Sequence, residues 1–181
     1  MKSVKAKSVL VTGAAMGMGR LFAERAIAEG AAVVVMWDLN EAALNATIEA
    51  LAEASGDATT ISGWVADVSD HDDVAATAAA VRDEVGPIDV VVNNAGVVRG
   101  NHYFWESDPE RDTALTIGVN TLAPMYVAHE FLPAMVEASG ECRLLNLASA
   151  AGLTPNPRMA AYAAAKGAGV GWSDSVRLEL K

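Results

Sequence analysis

The sequence predicts an α/β protein, a doubly wound parallel sheet with helices on both of its faces. Two observations lead to this class. Short runs rich in apolar and β-branched residues alternate with amphipathic segments of helical period, and the connections between them are short. Two of the runs, 32–37 and 88–92, are apolar throughout, which is typical of strands buried on both faces. Right-handed crossovers between such strands allow few arrangements other than a parallel sheet.

The first half of the chain predicts three strands and three helices in alternation. Gly30 is predicted to end the first helix, and Asn40 is predicted to cap the second. Ser69 or Asp70 is the predicted N-cap of the third helix. The predicted strands are residues 8–12, 32–37 and 59–65; the predicted helices are residues 17–29, 40–54 and, after a loop that begins at Asp67, the stretch up to residue 85.

The second half predicts two further strands, at residues 88–92 and 143–147, and two long helices. The first of these helices spans residues 109–138, but Pro124 and Pro133 interrupt its pattern and allow two separate pieces. The last helix is predicted over residues 162–181. No linker or repeat divides the chain, so residues 1–181 are predicted to form one domain.

Composition excludes several classes of function. Thirteen Lys and Arg against 23 Asp and Glu give a net charge of −10, which argues against a nucleic-acid partner. The single cysteine, Cys142, cannot form an internal disulfide and fits a reducing compartment, so we expect a cytoplasmic protein. No apolar run approaches the ~18 residues that span a bilayer. His71, His102 and His129 lie far apart without ligand partners, so no metal site is expected.

Ligand-binding groups in a parallel α/β sheet are expected beyond the carboxyl ends of the strands. The first strand is followed by Gly13-Ala14-Ala15-Met16-Gly17-Met18-Gly19, three glycines that lead into a helix. Such a loop lets the backbone approach a pyrophosphate, which then lies at the helix N-terminus. The alternative is an ordinary glycine-rich turn, since glycine spacings of this kind recur by chance.

Polar residues follow the next three strands as well. Asp38 comes 19 residues after Gly19, where a carboxylate accepts hydrogen bonds from ribose hydroxyls and repels a 2′-phosphate. It therefore favours NAD over NADP, with a helix-capping role as the alternative. Asp67-Val68 is suited to an adenine amino group, and Asn93-Asn94-Ala95-Gly96 follows the fourth strand. Turn chemistry is the alternative for both of these segments.

The fifth strand is followed by Ser149, and Tyr162 and Lys166 lie further along the chain. The spacing of four residues between Tyr162 and Lys166 places them on one face of a helix, where the ammonium group favours the charged form of the phenol. The alternative is a surface tyrosine beside a solvated lysine.

Taken together, these motifs resemble the short-chain dehydrogenases/reductases, from about residue 6 to the end of the chain. The motifs are Thr12-Gly-x-x-x-Gly17-x-Gly19, Asp67, Asn93-Asn94-Ala95-Gly96, Asn120, Ser149 and Tyr162-x-x-x-Lys166. The resemblance implies a Rossmann-like fold and an NAD(H)-dependent oxidoreductase that interconverts an alcohol and a carbonyl.

The resemblance also implies individual roles. Tyr162 would be the general acid/base, and Lys166 would lower the pKa of its phenol and bind the nicotinamide ribose. Ser149 would hold the substrate oxygen, and Asn120 would position a water that links Lys166 to solvent. Met16 is neutral where NADP-using relatives often carry a basic residue. The implied cofactor-binding residues are Gly13, Met16, Gly17, Met18, Gly19, Asp38, Leu39, Asp67, Val68, Asn94, Ala95, Gly96, Tyr162 and Lys166.

Members of the family continue beyond such a helix with two more strands and a loop that covers the substrate. We therefore expect this chain to lack the last strands of the family fold and to leave its fifth strand as an exposed edge. The complete protein is expected to be a homo-oligomer, and residues 176–180 faintly resemble branches that act on hydrophobic alcohols. The alternatives are an NAD-binding sensor or scaffold without turnover, and an epimerase or dehydratase, which the glycine spacing disfavours.

Overall fold

A computed structural model describes residues 2–180 and confirms the predicted class. Five parallel strands form one sheet in the order β3-β2-β1-β4-β5. The order places β1 at the centre, between β2 and β4, and makes β3 and β5 the edges. The strands are β1 (Ser8–Thr12), β2 (Val33–Asp38), β3 (Thr60–Val65), β4 (Val90–Asn93) and β5 (Arg143–Asn146).

Helices follow the strands and cover both faces of the sheet. Asn40 caps α2 by accepting a hydrogen bond from the amide of Ala43, as predicted. Asp70, one of the two predicted candidates, caps α3 by accepting from the amides of Asp72 and Asp73. The helices of this part of the chain are α1 (Gly17–Ala28), α2 (Glu41–Ser55) and α3 (His71–Glu84).

Residues 109–137 form one continuous helical run, so the prolines do not divide it. π-helical turns at Pro109–Ala114 and Gly118–Leu122 flank a short α-helical turn, α4 (Leu115–Ile117), and the run continues as α5 (Ala123–Glu137). Pro124 lies in the first turn of α5. Because proline has no backbone N–H, one helical hydrogen bond is missing at this position, where π-helix changes to α-helix. Pro133 lies inside α5.

Several predicted boundaries shift by one or two residues. Asp38 and Asn93 are the last residues of β2 and β4 rather than the first residues after them. The final helix, α6 (Ala160–Glu179), begins two residues before Tyr162. The predicted end of this helix at Lys181 lies outside the described residues.

The core consists of two apolar layers, one on each face of the sheet. Alternation along β1 directs Leu10 into the layer formed with α3 and α5, and Val9 and Val11 into the layer formed with α1 and α2. The central strands are therefore buried on both faces, and their carboxyl ends are held in a rigid frame. This frame positions the loops that follow β1, β2 and β4.

Candidate cofactor and catalytic site

A cleft of about 370 Å³ opens beyond the carboxyl ends of β1, β2, β3 and β4. This is the edge of the sheet at which a ligand is expected in an open α/β fold. Ten of the predicted cofactor-binding residues line it: Gly13, Met16, Met18, Asp38, Leu39, Asp67, Val68, Asn94, Ala95 and Gly96. Three residues that sequence reasoning did not single out, Ala66, Val97 and Val119, also line the cleft.

The glycines of the first loop are required by close approaches and by a left-handed backbone. Gly13 has φ +63°, and a Cβ there would lie 2.9 Å from the Cα of Ala95. A Cβ on Gly19 would overlap the carbonyl oxygen of Gly13. Gly17 has φ +56°, but a Cβ there would meet no atom within 4 Å. Gly13 therefore allows the loop to pack against the segment after β4, Gly19 allows it to fold tightly onto α1, and Gly17 turns the chain beside open space.

The N-terminus of α1 has the properties of an anion-binding end. Its N-cap residue, Met16, makes no side-chain capping bond, and the first turn contains no acidic residue. No side chain of the described residues accepts from the amides of Gly17, Met18 and Gly19, and these amides and the helix dipole favour negative charge. Met16 and Met18 do not pack into the core, since they are 59% and 62% exposed beside this end. The residues present thus fit a dinucleotide pyrophosphate.

Asp38 ties the glycine loop to the end of β2. One carboxylate oxygen accepts from the amide of Ala15 at 2.9 Å, and the other accepts from the amide of Asn40 at 3.0 Å. Asn40 supplies the side-chain cap of α2, so the capping alternative for Asp38 is wrong. The carboxylate nevertheless lines the cleft.

Thr47 holds the carbonyl group of Ala15, whose amide is bonded to Asp38. Its hydroxyl, on the buried face of α2, donates to the carbonyl oxygen of Ala15 at 2.8 Å. The amide and the carbonyl of Ala15 are therefore both bonded to side chains from other elements. No motif marks Thr47, because it lies 32 residues from Ala15 and only the packing of α2 brings the two together.

Asn94 joins β4 to the glycine loop. Its side-chain amide donates to the carbonyl oxygens of Thr12 and Gly13, at 2.9 and 3.1 Å. The Thr12 hydroxyl in turn accepts from the backbone amides of Asn94 and Ala95. Asp67 accepts from the amide and the hydroxyl of Ser69, which holds the turn after β3. These residues shape the wall of the cleft through their own hydrogen bonds.

Lys166 is buried beside Tyr162 on the first two turns of α6. Its ammonium nitrogen lies 6.0 Å from the centre of the Tyr162 ring and donates to the carbonyl oxygen of Leu147 at 2.8 Å. Lys166 is only 8% exposed, and burial lowers the pKa of its ammonium group. A poorly solvated cation therefore lies close to a phenol, as the spacing of four residues predicts.

Asn120 lies in the π-helical turn before α5 and is 3% exposed. Its side-chain amide donates to the carbonyl oxygens of Val97 and Thr116, at 2.7 and 2.9 Å, and its oxygen accepts from the amide of Val97. Asn120 thus anchors the segment after β4 to the helical run. A Cβ on Gly96 would lie 2.9 Å from its amide oxygen and 3.7 Å from the Lys166 nitrogen. Gly96, which also lines the cleft, therefore connects the cleft to the buried lysine.

A cavity of about 20 Å³, large enough for one water molecule, lies behind Lys166 and Asn120. A hydrogen-bonded series also lines it: Asn93 donates to Asn146 at 2.8 Å, and Asn146 donates to Ser173 at 2.9 Å. The cavity therefore presents polar groups to any water it holds.

Ser149 is half-buried after β5, and its hydroxyl oxygen accepts from the amide of Ala151. This bond caps a short 3₁₀ turn, Ala150–Gly152. A Cβ on Gly152 would lie 2.7 Å from backbone atoms of Lys166 and Gly167. The turn that holds Ser149 is thus packed directly against α6.

Residues 7–181 match the family model described as short chain dehydrogenase. The chain belongs to this family. Human estradiol 17-beta-dehydrogenase 11 is 36% identical to it over 179 residues, which are 99% of the chain and 57% of that protein. The chain thus spans less than two thirds of the length of the human protein.

Two solved structures show the same fold bound to different cofactors. A short-chain dehydrogenase from Burkholderia phymatum in complex with NAD has a TM-score of 0.90 and 34% identity, covering 97% of this chain and 60% of its own. A metagenomic short-chain oxidoreductase in complex with NADP has a TM-score of 0.90 and 31% identity, covering 99% of this chain and 78% of its own. The dehydrogenase fold is therefore common to NAD and NADP complexes.

Among residues 2–180 of this member of the short chain dehydrogenase family, no group of three or more His, Cys, Asp and Glu side chains is arranged to hold a metal ion. Within the same part of the chain, no helix has the length and apolar character needed to cross a bilayer.

Proposed function

We propose that this chain is the cofactor-binding and catalytic domain of an oxidoreductase that interconverts an alcohol and a carbonyl with NAD(H). The observation that supports this most strongly is the position of Lys166. It is buried, its nitrogen lies 6.0 Å from the centre of the Tyr162 ring, and it lies beside Gly96, which lines the cleft. A phenol beside a poorly solvated cation, next to a cleft that fits a dinucleotide, is suited to proton transfer coupled to hydride transfer.

When bound, NAD(H) supplies the hydride acceptor or donor. In alcohol oxidation the substrate loses a hydride from its carbinol carbon and a proton from its hydroxyl group. Tyr162, as the phenolate, receives that proton. The Lys166 ammonium stabilises the phenolate, and burial strengthens the attraction because little water screens it. In carbonyl reduction Tyr162 returns a proton to the forming alkoxide.

Ser149 and Asn120 complete the proposed site. The Ser149 hydroxyl would hold the substrate oxygen, since its turn is packed against the helix that carries Tyr162 and Lys166. Asn120 would position a water in the small polar cavity behind Lys166, through which the proton reaches solvent. Both roles concern orientation rather than the hydride itself.

NAD is the proposed cofactor rather than NADP, and the carboxylate of Asp38 supports this choice. It lines the cleft at the end of β2, where it would repel a 2′-phosphate. Met16 and Leu39, which are exposed on the same wall, add no positive charge. We expect tighter binding of NAD than of NADP by calorimetry, and we expect Asp38→Asn to narrow that difference.

The proposed substrate is a small alcohol or carbonyl compound, and a hydrophobic one is favoured. The resemblance of residues 176–180 to such branches supports this, together with the steroid named in the human relative. We also propose that the whole protein is a cytoplasmic homo-oligomer, as the family resemblance and the composition predict.

Tyr162→Phe in the protein that carries this chain tests the proposed function. Turnover of a panel of secondary alcohols, followed by NADH absorbance, should fall by about 10²- to 10⁴-fold, the usual contribution of a general acid/base. NAD affinity should change little, because the ring remains in place. Full turnover by the variant would exclude Tyr162 as the acid/base. NAD binding by the wild-type protein without turnover of any panel member would favour the sensor alternative.

A further inference from the structure

Three stacked side chains join the loop after β4 to the residues that precede α6. The guanidinium carbon of Arg158 lies 4.9 Å from the centre of the Tyr103 ring. The Tyr103 ring stacks on Trp105, with centroids 4.9 Å apart and an angle of 2° between their planes. We call this set, Arg158, Tyr103 and Trp105, the aromatic clasp. It connects two segments that are more than 50 residues apart in sequence.

Arg158 has a backbone conformation that needs support from outside its own segment. Its φ is +64°, in the left-handed region that non-glycine residues rarely adopt. Such conformations persist where surrounding contacts hold them. Residues 153–158 are all exposed, so they bury little apolar surface of their own. The stacking on Tyr103 supplies a contact that holds Arg158 from outside the segment.

The start of α6 also has little local stabilisation. Its N-cap residue, Met159, makes no side-chain capping bond, and no acidic residue lies in the first turn. Tyr162 is the third residue of this helix. The position of the phenol therefore depends on how the chain just before α6 is held, and Arg158 is four residues before Tyr162.

The other end of the aromatic clasp is attached to a well-braced loop. The Tyr103 amide donates to the Glu106 carboxylate at 3.3 Å, and the Glu106 amide donates to the Tyr103 carbonyl oxygen at 2.9 Å. Two residues later, Asp108 caps the helical run by accepting from the amides of Glu110 and Arg111. That run contains Asn120, so the clasp connects the start of α6 to the element that carries Asn120.

From this arrangement we infer that Arg158 and Tyr103 are positioning residues for Tyr162. The inference rests on the proposed function, in which Tyr162 transfers the proton. The clasp holds the first turn of α6 so that the phenol keeps its place relative to Lys166 and the cleft. Arg158 acts through its stacking on the Tyr103 ring, whereas the Tyr103 hydroxyl has no part in it.

The test compares Tyr103→Leu and Arg158→Gly with Tyr103→Phe and Arg158→Lys. Leucine removes the ring, and glycine accepts a φ of +64° without strain but removes the guanidinium. Phenylalanine keeps the ring, and lysine keeps a cation above it. Arg143→Gly, at the exposed start of β5, is the control for loss of an arginine elsewhere.

Two readouts are measured on each variant. The first is hydrogen exchange at the Ala163 amide, which donates to the Met159 carbonyl oxygen at 2.7 Å and reports the first turn of α6 without any turnover. The second is kcat for the alcohol, beside NAD affinity. Tyr103→Leu and Arg158→Gly should each exchange about 3- to 5-fold faster and lose about 3- to 5-fold in kcat, the factor expected from one exposed cation–π contact. NAD affinity should stay unchanged.

Tyr103→Phe should match the wild-type protein, and Arg158→Lys should lie between wild type and Arg158→Gly. Wild-type exchange and kcat in Tyr103→Leu would overturn the inference, as would an equal loss in Tyr103→Phe and Tyr103→Leu. If the wild-type protein turns over no alcohol, the proposed function fails. The exchange readout then still decides whether the clasp holds the start of α6.

Discussion

The proposed cofactor side of the sheet, formed by β1, β2 and β4, and the proposed catalytic side, formed by β5 and α6, differ in how they are held. On the cofactor side, Leu10, Val35 and Val91 in β1, β2 and β4 have no exposed surface. The loop beyond them is bonded to side chains from three other elements. On the catalytic side, β5 is an edge strand in which Leu145 is 45% exposed. Of the residues of α6, only Ala165 and Lys166 are buried.

This difference shows that one site can be built from a rigid half and a weakly supported half. The proposed cofactor half is preorganised because its strands β1, β2 and β4 are packed on both faces and its glycine loop is bonded to neighbouring elements. The catalytic half depends on a few long-range contacts. They include the bond from Lys166 to Leu147, the bond from Thr121 to the carbonyl oxygen of Ala165, and the aromatic clasp. Substitutions in the two halves should therefore have different consequences.

Truncation of one leucine in each half gives the largest predicted contrast. Leu10→Ala in β1 should lower the free energy of unfolding by about 2–5 kcal/mol, because it leaves a cavity in the apolar layer between the sheet and helices α3 and α5. Leu145→Ala in β5 should change it by about 0.5 kcal/mol, as for an exposed position. Urea unfolding of the two variants of the 181-residue chain measures both values. Equal losses would mean that the edge strand is as well packed as the centre.

Gly19→Ala should separate close approach from backbone strain within the glycine loop. The new Cβ would overlap the Gly13 carbonyl oxygen and push the loop away from α1. NAD affinity should then fall by about 100-fold, for an overpacking cost of about 3 kcal/mol.

Gly17→Ala is the matched control for this prediction. Its Cβ meets no atom, and its cost is limited to the left-handed backbone, about 1 kcal/mol. Calorimetric titration with NAD distinguishes the two variants. If Gly17→Ala weakened NAD binding more than Gly19→Ala, the close approach would not be the reason for the glycine at position 19.

Thr47→Val should lower stability and NAD affinity, because valine keeps the shape of the threonine side chain but lacks its hydroxyl group. It leaves the Ala15 carbonyl oxygen without its hydroxyl donor, and an unpaired buried group costs about 1–3 kcal/mol. We expect lower stability and about tenfold weaker NAD binding, the factor that corresponds to ~1.4 kcal/mol. Thr47→Ser keeps the hydroxyl and should restore the affinity. An unchanged NAD affinity in Thr47→Val would show that the loop does not depend on this bond.

Lys166→Met should reveal how much the buried ammonium group of Lys166 lowers the free energy of unfolding. We expect this effect to be the smallest of the four. Burial lowers the pKa of Lys166 below its ordinary value of 10.5. Between the folded-state pKa and 10.5 the unfolded chain binds more protons, so the lysine makes stability rise with pH in this window. Below the window both states are protonated and the burial cost is fully present.

The measurement is the free energy of unfolding of wild type minus that of Lys166→Met, followed as the pH is raised toward 10.5. The difference should increase. The pKa of Lys7 is raised by its hydrogen bond to Asp89, so Lys7 makes stability fall as the pH rises. Lys7 is present in both proteins, so its contribution cancels in the difference. A difference that stayed constant with pH would contradict the lowered pKa of Lys166.

The residues that sequence reasoning placed in the cofactor half are local to strand ends, and this explains why they could be predicted. Gly13, Asp67 and Asn94 each lie within two residues of the end of a strand, where chain direction alone brings them to the same edge. Asp38 lines the cleft at the end of β2, but its bonds to the amides of Ala15 and Asn40 do not follow from the sequence. Those bonds depend on the distance between two loops.

The prolines in residues 109–137, in contrast, lie where local sequence alone did not decide the structure. Helical propensity allows a break at Pro124, but the chain changes from π-helix to α-helix there and continues. The carbonyl oxygen of Pro124 accepts from Asn93, and Asn120 in the π-helical turn bonds to the segment after β4. These tertiary contacts override the local preference, and no local pattern encodes them.

The sequence by itself determined the class of the sheet, the glycine loop and the pairing of Tyr162 with Lys166, because periodicity and spacing act over a few residues. Tertiary structure alone decided that Thr47 and Asp38 hold Ala15, that Lys166 is buried, and that Arg158 stacks on Tyr103. Each of these contacts joins residues from separate elements. Their formation depends on the packing of helices against the sheet, which is a property of the whole fold.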